Sequence, residues 1–310
     1  MSLQRLLQRL GEAVLSLIVV SFLIHAALDV VPGDAADTLV GDSASTAQME
    51  VLRRERHLEA PFLKRYGQYL HNIVLRGDWG NSFISGRPVA GILWERMQNT
   101  VLLAAVSLGL STTLGIILGV LTVQHKRRWI DGLTIGLTAI SMACPTYWTA
   151  LLFLRIFAVQ LRWVPVVGEG NLYSLILPTS TLSLPLMAAI LQFVRTHMLT
   201  ETREPYVYTA RAKGATESRV MRCHVLRNSL PPVATAIGLH FGHLLGGTFV
   251  VETIFSWPGL GRLMVQAIFD RDPPVVIGAG LLIAAIYIAT NLATDLLQEW
   301  LDPRTACSAL

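Results

Sequence analysis

Charge is scarce in this 310-residue chain: 15% of its residues are Asp, Glu, Lys or Arg, against 52% hydrophobic ones. Soluble domains carry about 25% charged residues, so the chain lacks the polar surface that a water-soluble fold of its size needs. Intrinsic disorder is excluded too, because it requires low hydrophobicity and high net charge. Cysteine is nearly missing. Cys144, Cys223 and Cys307 lie far apart, without CxxC or Cys/His spacing, so neither a disulfide framework nor a zinc site is expected. The chain has no GxxxxGKS or GxxxxGKT phosphate loop, no HExxH and no GxSxG. Those absences argue against a self-contained ATPase and an intramembrane hydrolase. Alternating strand patterns of about ten residues, the mark of an outer-membrane barrel, are also lacking.

What is present is long apolar runs, with a mean hydropathy of +0.50. A helix crossing the hydrocarbon core needs about 20 apolar residues. Six stretches approach or meet this: Ala13–Leu28, Thr100–Val123, Gly132–Leu154, Asn171–Val194, Asn228–Val251 and Val275–Thr294. The first is short and contains His25. A cleaved signal peptide is its alternative reading, but no small-x-small cleavage site follows. The expected fold class is all-α: a polytopic membrane protein with six transmembrane helices.

Six spans put both termini on one side, and Lys/Arg placement says which. With the N-terminus inside, residues 1–9, 124–131, 195–228 and 299–310 hold 13 Lys/Arg in 63 residues. The outer segments 29–99, 160–174 and 256–276 hold 11 in 107 residues, about half the density. Cytoplasmic termini are therefore expected. The organisation reads as residues 1–28, an N-terminus and first span; 29–99, a small external cap; and 100–310, the transmembrane core with a cytoplasmic loop at 195–228. The cap carries nine acids against eight bases and has helix-like stretches at Met49–Leu58 and Pro61–Leu75.

The basic loop 195–228 contains the pattern of two short helices joined at a glycine. Pro205 suits the first position of a helix, and Gly214 suits a left-handed residue that ends one. Thr216 has a hydroxyl that can cap a second helix, with Glu217 well placed near that N-terminus. Ala210, Ala212 and Ala215 leave room around the elbow for another protein. By composition alone a lipid-binding, positive-inside loop is the competing reading.

The run Tyr208-Thr209-Ala210-Arg211-Ala212-Lys213-Gly214-Ala215, with His224-Val225-Leu226-Arg227-Asn228-Ser229-Leu230-Pro231-Pro232 after it, resembles the EAA loop of bacterial ABC importer permeases. The version closest to it is that of the oligopeptide, dipeptide and nickel permeases. Val31-Pro32-Gly33-Asp34, Gly77-Asp78-Trp79-Gly80-Asn81-Ser82 and Phe255-Ser256-Trp257-Pro258-Gly259-Leu260-Gly261-Arg262 are similar to further signatures of that family. So are Arg271-Asp272-Pro273-Pro274-Val275 and Asp302-Pro303-Arg304. The usual Glu-Ala-Ala reads Tyr208-Thr209-Ala210 here. The resemblance implies a type I importer permease with no catalysis and no cofactor of its own, multi-pass in the bacterial inner membrane. It implies ATP and Mg on two separate ATPase subunits that the 208–215 loop couples to. The other implied partners are a homologous second permease in a heterodimer, an external solute-binding protein and membrane lipid; no nucleic acid is expected.

Within the fifth span, Gly238, Gly242 and Gly246 recur every four residues, at about 0°, 40° and 80° around a helix. Gly115/Gly119 and Gly132/Gly136 suggest similar close packing in the second and third spans. His240 and His243 fall at about 200° and 140°, away from the glycines. Polar residues inside a span face a bundle interior or cavity. A hydrogen-bonded structural role is one reading of these histidines. The sharper one is a path lining, with His240 and His243 meeting a metal ion transiently, since imidazole suits nickel. Gly238-Leu239-His240-Phe241-Gly242 resembles the nickel branch more than the peptide branch, which favours nickel or a metal chelate as substrate. Peptide import is the alternative, and an anchoring subunit without a pathway the second. Glu252 is a candidate path residue, and with Arg262, Asp270, Arg271 and Asp272 beyond it reads as an external gate, a seat for a binding protein, or equally a solvated charged loop. Arg155 is expected to snorkel or to pair with an acid of a partner subunit, and Asp295 and Glu299 to mark the cytoplasmic edge of the last span.

Overall fold

The computed structural model of the chain describes residues 3–30, 61–124, 128–164 and 172–301. Side chains at 3–6, 128, 130–131, 172, 243, 245–246 and 297–301 are outside that description. The stretches Met49–Leu58, Val31–Asp34 and Asp302–Arg304, residue Cys307, and the side chains of His243 and Glu299 therefore lie outside the described residues.

The described chain is helical: α1 Leu3–Val30, α2 Phe62–Arg76, α3 Val89–Gln124, α4 Arg128–Ala143 and α5 Thr146–Phe153 come first. Then follow α6 Ile176–Glu201, α7 Pro205–Ala212, α8 Glu217–Arg219, α9 Arg227–Ile254, α10 Leu260–Phe269 and α11 Pro273–Leu301. Among the described residues no strand forms, only an isolated bridge between Asn81 and Pro88. Among the described residues four helices are long and apolar enough to cross a membrane, and two bent pairs make up to six if each pair is one span. The six expected stretches fall on these six elements.

The third span differs from expectation. It breaks at Cys144-Pro145 into two pieces whose axes meet at 101°. Proline has no N–H and pushes the residue before it out of the helical region, so α4 stops at Ala143. The Pro145 carbonyl then accepts from Trp148 N–H (3.0 Å) and Thr149 N–H (3.2 Å), starting α5 afresh. Beyond α5 the backbone widens into a π turn over Leu154–Gln160, which contains Arg155.

The chain divides into two compact units. One comprises Ser2–Thr100 and Pro258–Ile288. Its core gathers Val89, Leu93, Leu260, Ala267, Val275, Val276 and Ala279, with Trp79 and Met264 packed against them. Here α2 lies on α1 through ring contacts: Phe22 meets Phe62 and Tyr66 edge-on at 5.5 Å, and His25 meets Tyr69 at 4.6 Å. An Arg65–Asp29 ion pair joins the same two helices. Offset and edge-on ring pairs of this kind contribute about 1 kcal/mol each beyond area burial.

The other unit comprises Val101–Trp257 and Ala289 onward, built around α6, the most buried of the long spans. Gly115 and Gly119 of α3 pack directly on it. A Cβ at Gly115 would stand 2.8 Å from Ile190 Cγ2, and one at Gly119 2.8 Å from Val194 Cβ. Ser111 Oγ donates to the Ser107 carbonyl (2.6 Å), and Ser183 Oγ donates to that same carbonyl (3.2 Å), tying α3 to α6 through a polar bond. Such bonds help hold spans together where lipid offers no hydrophobic driving force. Gly132 and Gly136 differ from the sequence expectation: a Cβ at either meets nothing within 4 Å. Small residues at four-residue spacing permit close approach, but a neighbouring helix must also be there.

Candidate functional site

The basic loop between α6 and α9 is held by a short chain of local bonds. Pro205 opens α7 at its first position. α7 turns Val207 and Ala210, three residues apart, into the unit, while Tyr208, Thr209, Ala212 and Lys213 stay exposed. Its end is made by Gly214, whose φ of 80° is the left-handed conformation expected there. Gly214 N–H donates to the Arg211 carbonyl (2.9 Å) and Ala215 N–H to the Ala210 carbonyl (3.2 Å), so the last carbonyls of α7 are satisfied.

After the elbow the structure departs from the expected second helix. Thr216 occupies the capping position, but its side chain makes no capping bond. Glu217 turns back across the elbow instead. Its two oxygens accept from Arg211 Nη2 (2.7 Å) and Nε (3.1 Å), a bidentate fork. That bond holds the Arg211 guanidinium even more firmly protonated than usual. With both partners partly exposed, it contributes no more than about 1 kcal/mol. α8 is a single turn, continued by a wider π turn over Val220–Leu226 and then by α9. Val220, Met221 and Val225 are buried, anchoring the loop to the bundle. At the near end, Tyr206 O–H donates to the Glu201 carboxylate. Burial, and then that bond, push its phenol above the usual range.

Beside α7 lies a cleft of about 370 Å³. Arg195, Arg203 and Arg211 line it, together with Tyr208, Thr122 and Thr202, and among the described residues no acidic one does. Sequence reading singled out Arg211 but not Arg195 or Arg203. Their membership depends on α3 ending beside α6, which no local pattern announces.

The fifth span places the remaining residues. On α9, His240 is half-buried, and Glu252 in the last turn is fully buried. Gly238 approaches α11 closely: a Cβ there would stand 2.5 Å from Thr294 Cγ2. Gly242 is buried, and the placement of Gly246 lies outside the description. Among the described residues, no group of three or more His, Cys, Asp or Glu could hold a metal ion.

Two of the quoted motifs meet in the other unit. Asp272 is buried, and its carboxylate accepts from Ser82 Oγ (2.6 Å) and Phe83 N–H (3.1 Å). Asp272 is thus neither a gate residue on an open surface nor part of a solvated loop. It pins the Gly77–Ser82 turn to the start of α11. Asn99 Nδ2 donates to the Pro258 carbonyl (2.9 Å), and Leu260 N–H to Thr100 Oγ1 (2.8 Å). These bonds give the Pro258–Arg262 motif a structural task.

Comparison with known proteins bears on the family and the fold. The family profile "Binding-protein-dependent transport system inner membrane component" matches residues 111–306, and its N-terminal companion matches residues 2–116. A Brucella abortus (strain 2308) protein, named as a peptide transport system permease, is 36% identical over 307 residues, covering 96% of this chain and 98% of its own. The glutathione transport system permease protein GsiC of Escherichia coli (strain K12) is 35% identical over 301 residues, covering 97% and 98%. Among solved structures, an amino acid ABC transporter with histidines aligns at a TM-score of 0.54 and 16% identity, over 68% of this chain and 94% of that one. The MetNI methionine ABC transporter, in inward facing conformations, aligns at 0.52 and 16%, over 69% and 96%. The two structures share the fold, that of a type I importer permease. On the two profiles and these full-length relatives, the chain belongs to the inner membrane components of binding-protein-dependent transport systems, the permeases of ABC importers.

Proposed function

We propose that this permease forms half of the path by which an ATP-driven importer brings short peptides, or peptide-like compounds such as glutathione, across a bacterial inner membrane. The observation that carries the reading is near full-length similarity, at 35–36% identity, to permeases named for peptide and glutathione transport. The same similarity weighs against the nickel or metal-chelate substrate that the fifth-span histidines suggested. Two imidazoles on one span are compatible with either cargo: protonated or neutral, they hydrogen-bond to peptide carboxylates and carbonyls as readily as they meet a metal.

In this reading the chain binds no nucleotide, and separate ATPase subunits dock on the exposed face of α7 around Tyr208 and the Gly214 elbow. A homologous permease completes the path and an external binding protein delivers the substrate. Both termini and the 195–228 loop lie in the cytoplasm, as the Lys/Arg bias indicates. The test is uptake in cells that express the complete transporter, with labelled glutathione, dipeptides and nickel offered separately. Accumulation of glutathione or a dipeptide, dependent on this chain, is the expected result. Accumulation of nickel alone would reverse the assignment. Transport undiminished without this chain would leave it an anchoring subunit.

A further inference from the structure

None of the 15 residues of α2 is buried, although one side of the helix is docked. With Phe62 at the origin and about 100° per residue, Phe62, Arg65, Tyr66 and Tyr69 fall between about 300° and 40°. These are the residues that meet α1, through ring contacts and the Arg65–Asp29 pair. Leu63, Leu70 and Val74 follow at about 80–120°. The described chain leaves Leu63 73% and Val74 74% exposed. Lys64, Gln68 and His71, all exposed, stand beyond them at about 180–240°. The helix thus has three sides: a contact with α1, an open apolar stripe and a polar face, which Leu75 alone interrupts.

The contact with α1 sets the depth of that open stripe. Tyr66 O–H donates to the Ile18 carbonyl (3.2 Å), and its ring meets Phe22 at 5.5 Å and His25 at 5.2 Å. All three α1 residues precede Leu28, where the apolar run ends. At a rise of about 1.5 Å per residue, Phe22 and His25 lie about 5–9 Å short of that end. Amphipathic helices that lie in a membrane interface sink about 5–10 Å into it, so α2 is held at their depth. Only 6% of the apolar stretch of α1 is buried within the chain, so acyl chains are the neighbours this span already needs. The charge fits as well: α2 carries Lys64, Arg65 and Arg76 and no acid. Lys64 can lay its stem along the stripe and keep its ammonium among headgroup phosphates. We propose that α2 lies in the membrane interface at the C-terminal end of α1, with Leu63 and Val74 among acyl chains and Lys64, Gln68 and His71 among phospholipid headgroups. Through its contacts with α1 it then fixes the depth of the first span. The inference rests on α1 crossing the membrane, not on the cargo or on the direction of the chain.

The experiment uses the full chain with its partner subunits, reconstituted in vesicles of phosphatidylethanolamine and phosphatidylglycerol. Cys144, Cys223 and Cys307 are replaced by serine, and one bimane probe is attached at a time, to Leu63→Cys, Val74→Cys or Gln68→Cys. All three positions are exposed, so a small probe at any of them leaves the packing of α2 on α1 in place. Two quenchers are compared: lipid brominated in its acyl chains, and iodide present on both sides of the membrane. Brominated lipid should quench the probes at 63 and 74 and spare the one at 68, and iodide should do the reverse. Iodide quenching that is equal at all three positions would make α2 a helix in water and overturn the proposal. Probes at 63 and 74 that neither quencher reaches would be covered by protein, either a partner subunit or residues 31–60 of this chain, and that too would overturn it. Quenching is read without any transport, so a failed uptake assay and a misplaced α2 are separate outcomes.

Discussion

Asp272 shows how a residue's surroundings can reverse what its chemistry suggests. In sequence it stands among Asp270, Arg271 and Pro273, a charged stretch that reads as solvent-facing. In the structure its carboxylate is buried and takes two hydrogen bonds from Ser82 and Phe83, some 190 residues earlier in the chain. Asp272→Ala would strand a buried hydroxyl and a backbone N–H. Loss of a charged acceptor with two donors left unmade costs about 2–4 kcal/mol. Asp272→Asn keeps one carbonyl oxygen and should cost about half as much. Thermal unfolding in detergent, with the amount of protein inserted in membranes as a second readout, checks the order Ala worse than Asn. Equal stability of wild type and Asp272→Ala would remove the pin. No local pattern could have revealed this pairing, because the motif records which residues recur and not which of them meet.

At the scale of helices, more was legible. Four spans followed from apolar run length, because in lipid every backbone group must be satisfied within its own segment, and the third and fifth stretches fall on bent helix pairs. The fold at Cys144-Pro145 was missed, although its signal, a proline within an apolar run, stood in plain sight. Glycine spacing was half informative. Gly115 and Gly119 meet Ile190 and Val194, whereas Gly132 and Gly136 meet nothing within 4 Å. Gly119→Val should therefore cost about 1–3 kcal/mol by overpacking, since the Leu191 carbonyl at 3.2 Å also blocks retreat. Gly132→Ala should leave stability unchanged or slightly higher, as alanine suits a helix better. A shared loss of stability would mean that a neighbouring subunit closes on α4.

The elbow makes a different demand. A Cβ at Gly214 meets open space, so only its φ of 80° opposes substitution. Gly214→Val places a β-branched residue where L-residues pay about 1–2 kcal/mol, and the strain falls on the turn rather than on the bundle. Insertion and thermal stability should persist, while substrate-stimulated ATP hydrolysis and uptake decline. Gly214→Asn, a residue that tolerates this conformation, should retain more of both. The elbow was readable because glycine answers to local geometry. The Arg211–Glu217 fork was not, since the same Glu217 fits equally well a role at the helix start.

For the molecule as a whole, orientation and cargo each have a handle in this chain. Cys223 is exposed in the loop proposed to be cytoplasmic, and Ser85 is exposed in the segment proposed to be external. In intact spheroplasts a membrane-impermeant thiol reagent should label Ser85→Cys and miss Cys223, then reach Cys223 once the membrane is permeabilised. The opposite order would invert the topology.

Cargo turns on His240 and His243. By their spacing in sequence they fall on another side of the span from Gly238, so replacing both need not disturb the contact of Gly238 with Thr294. For a peptide-type substrate, the double change His240→Ala and His243→Ala should lower glutathione or dipeptide uptake modestly, about twofold to tenfold, through loss of one or two hydrogen bonds. Nickel uptake should be absent from wild type and variant alike. For a metal-type substrate the same change should abolish nickel accumulation, because imidazole nitrogen would be the ligand lost. Measuring both cargoes in both proteins separates the cases. Nickel uptake that disappears with the histidines would refute the peptide reading outright. Equal loss of complex assembly in every condition would instead return the pair to a structural role in the span.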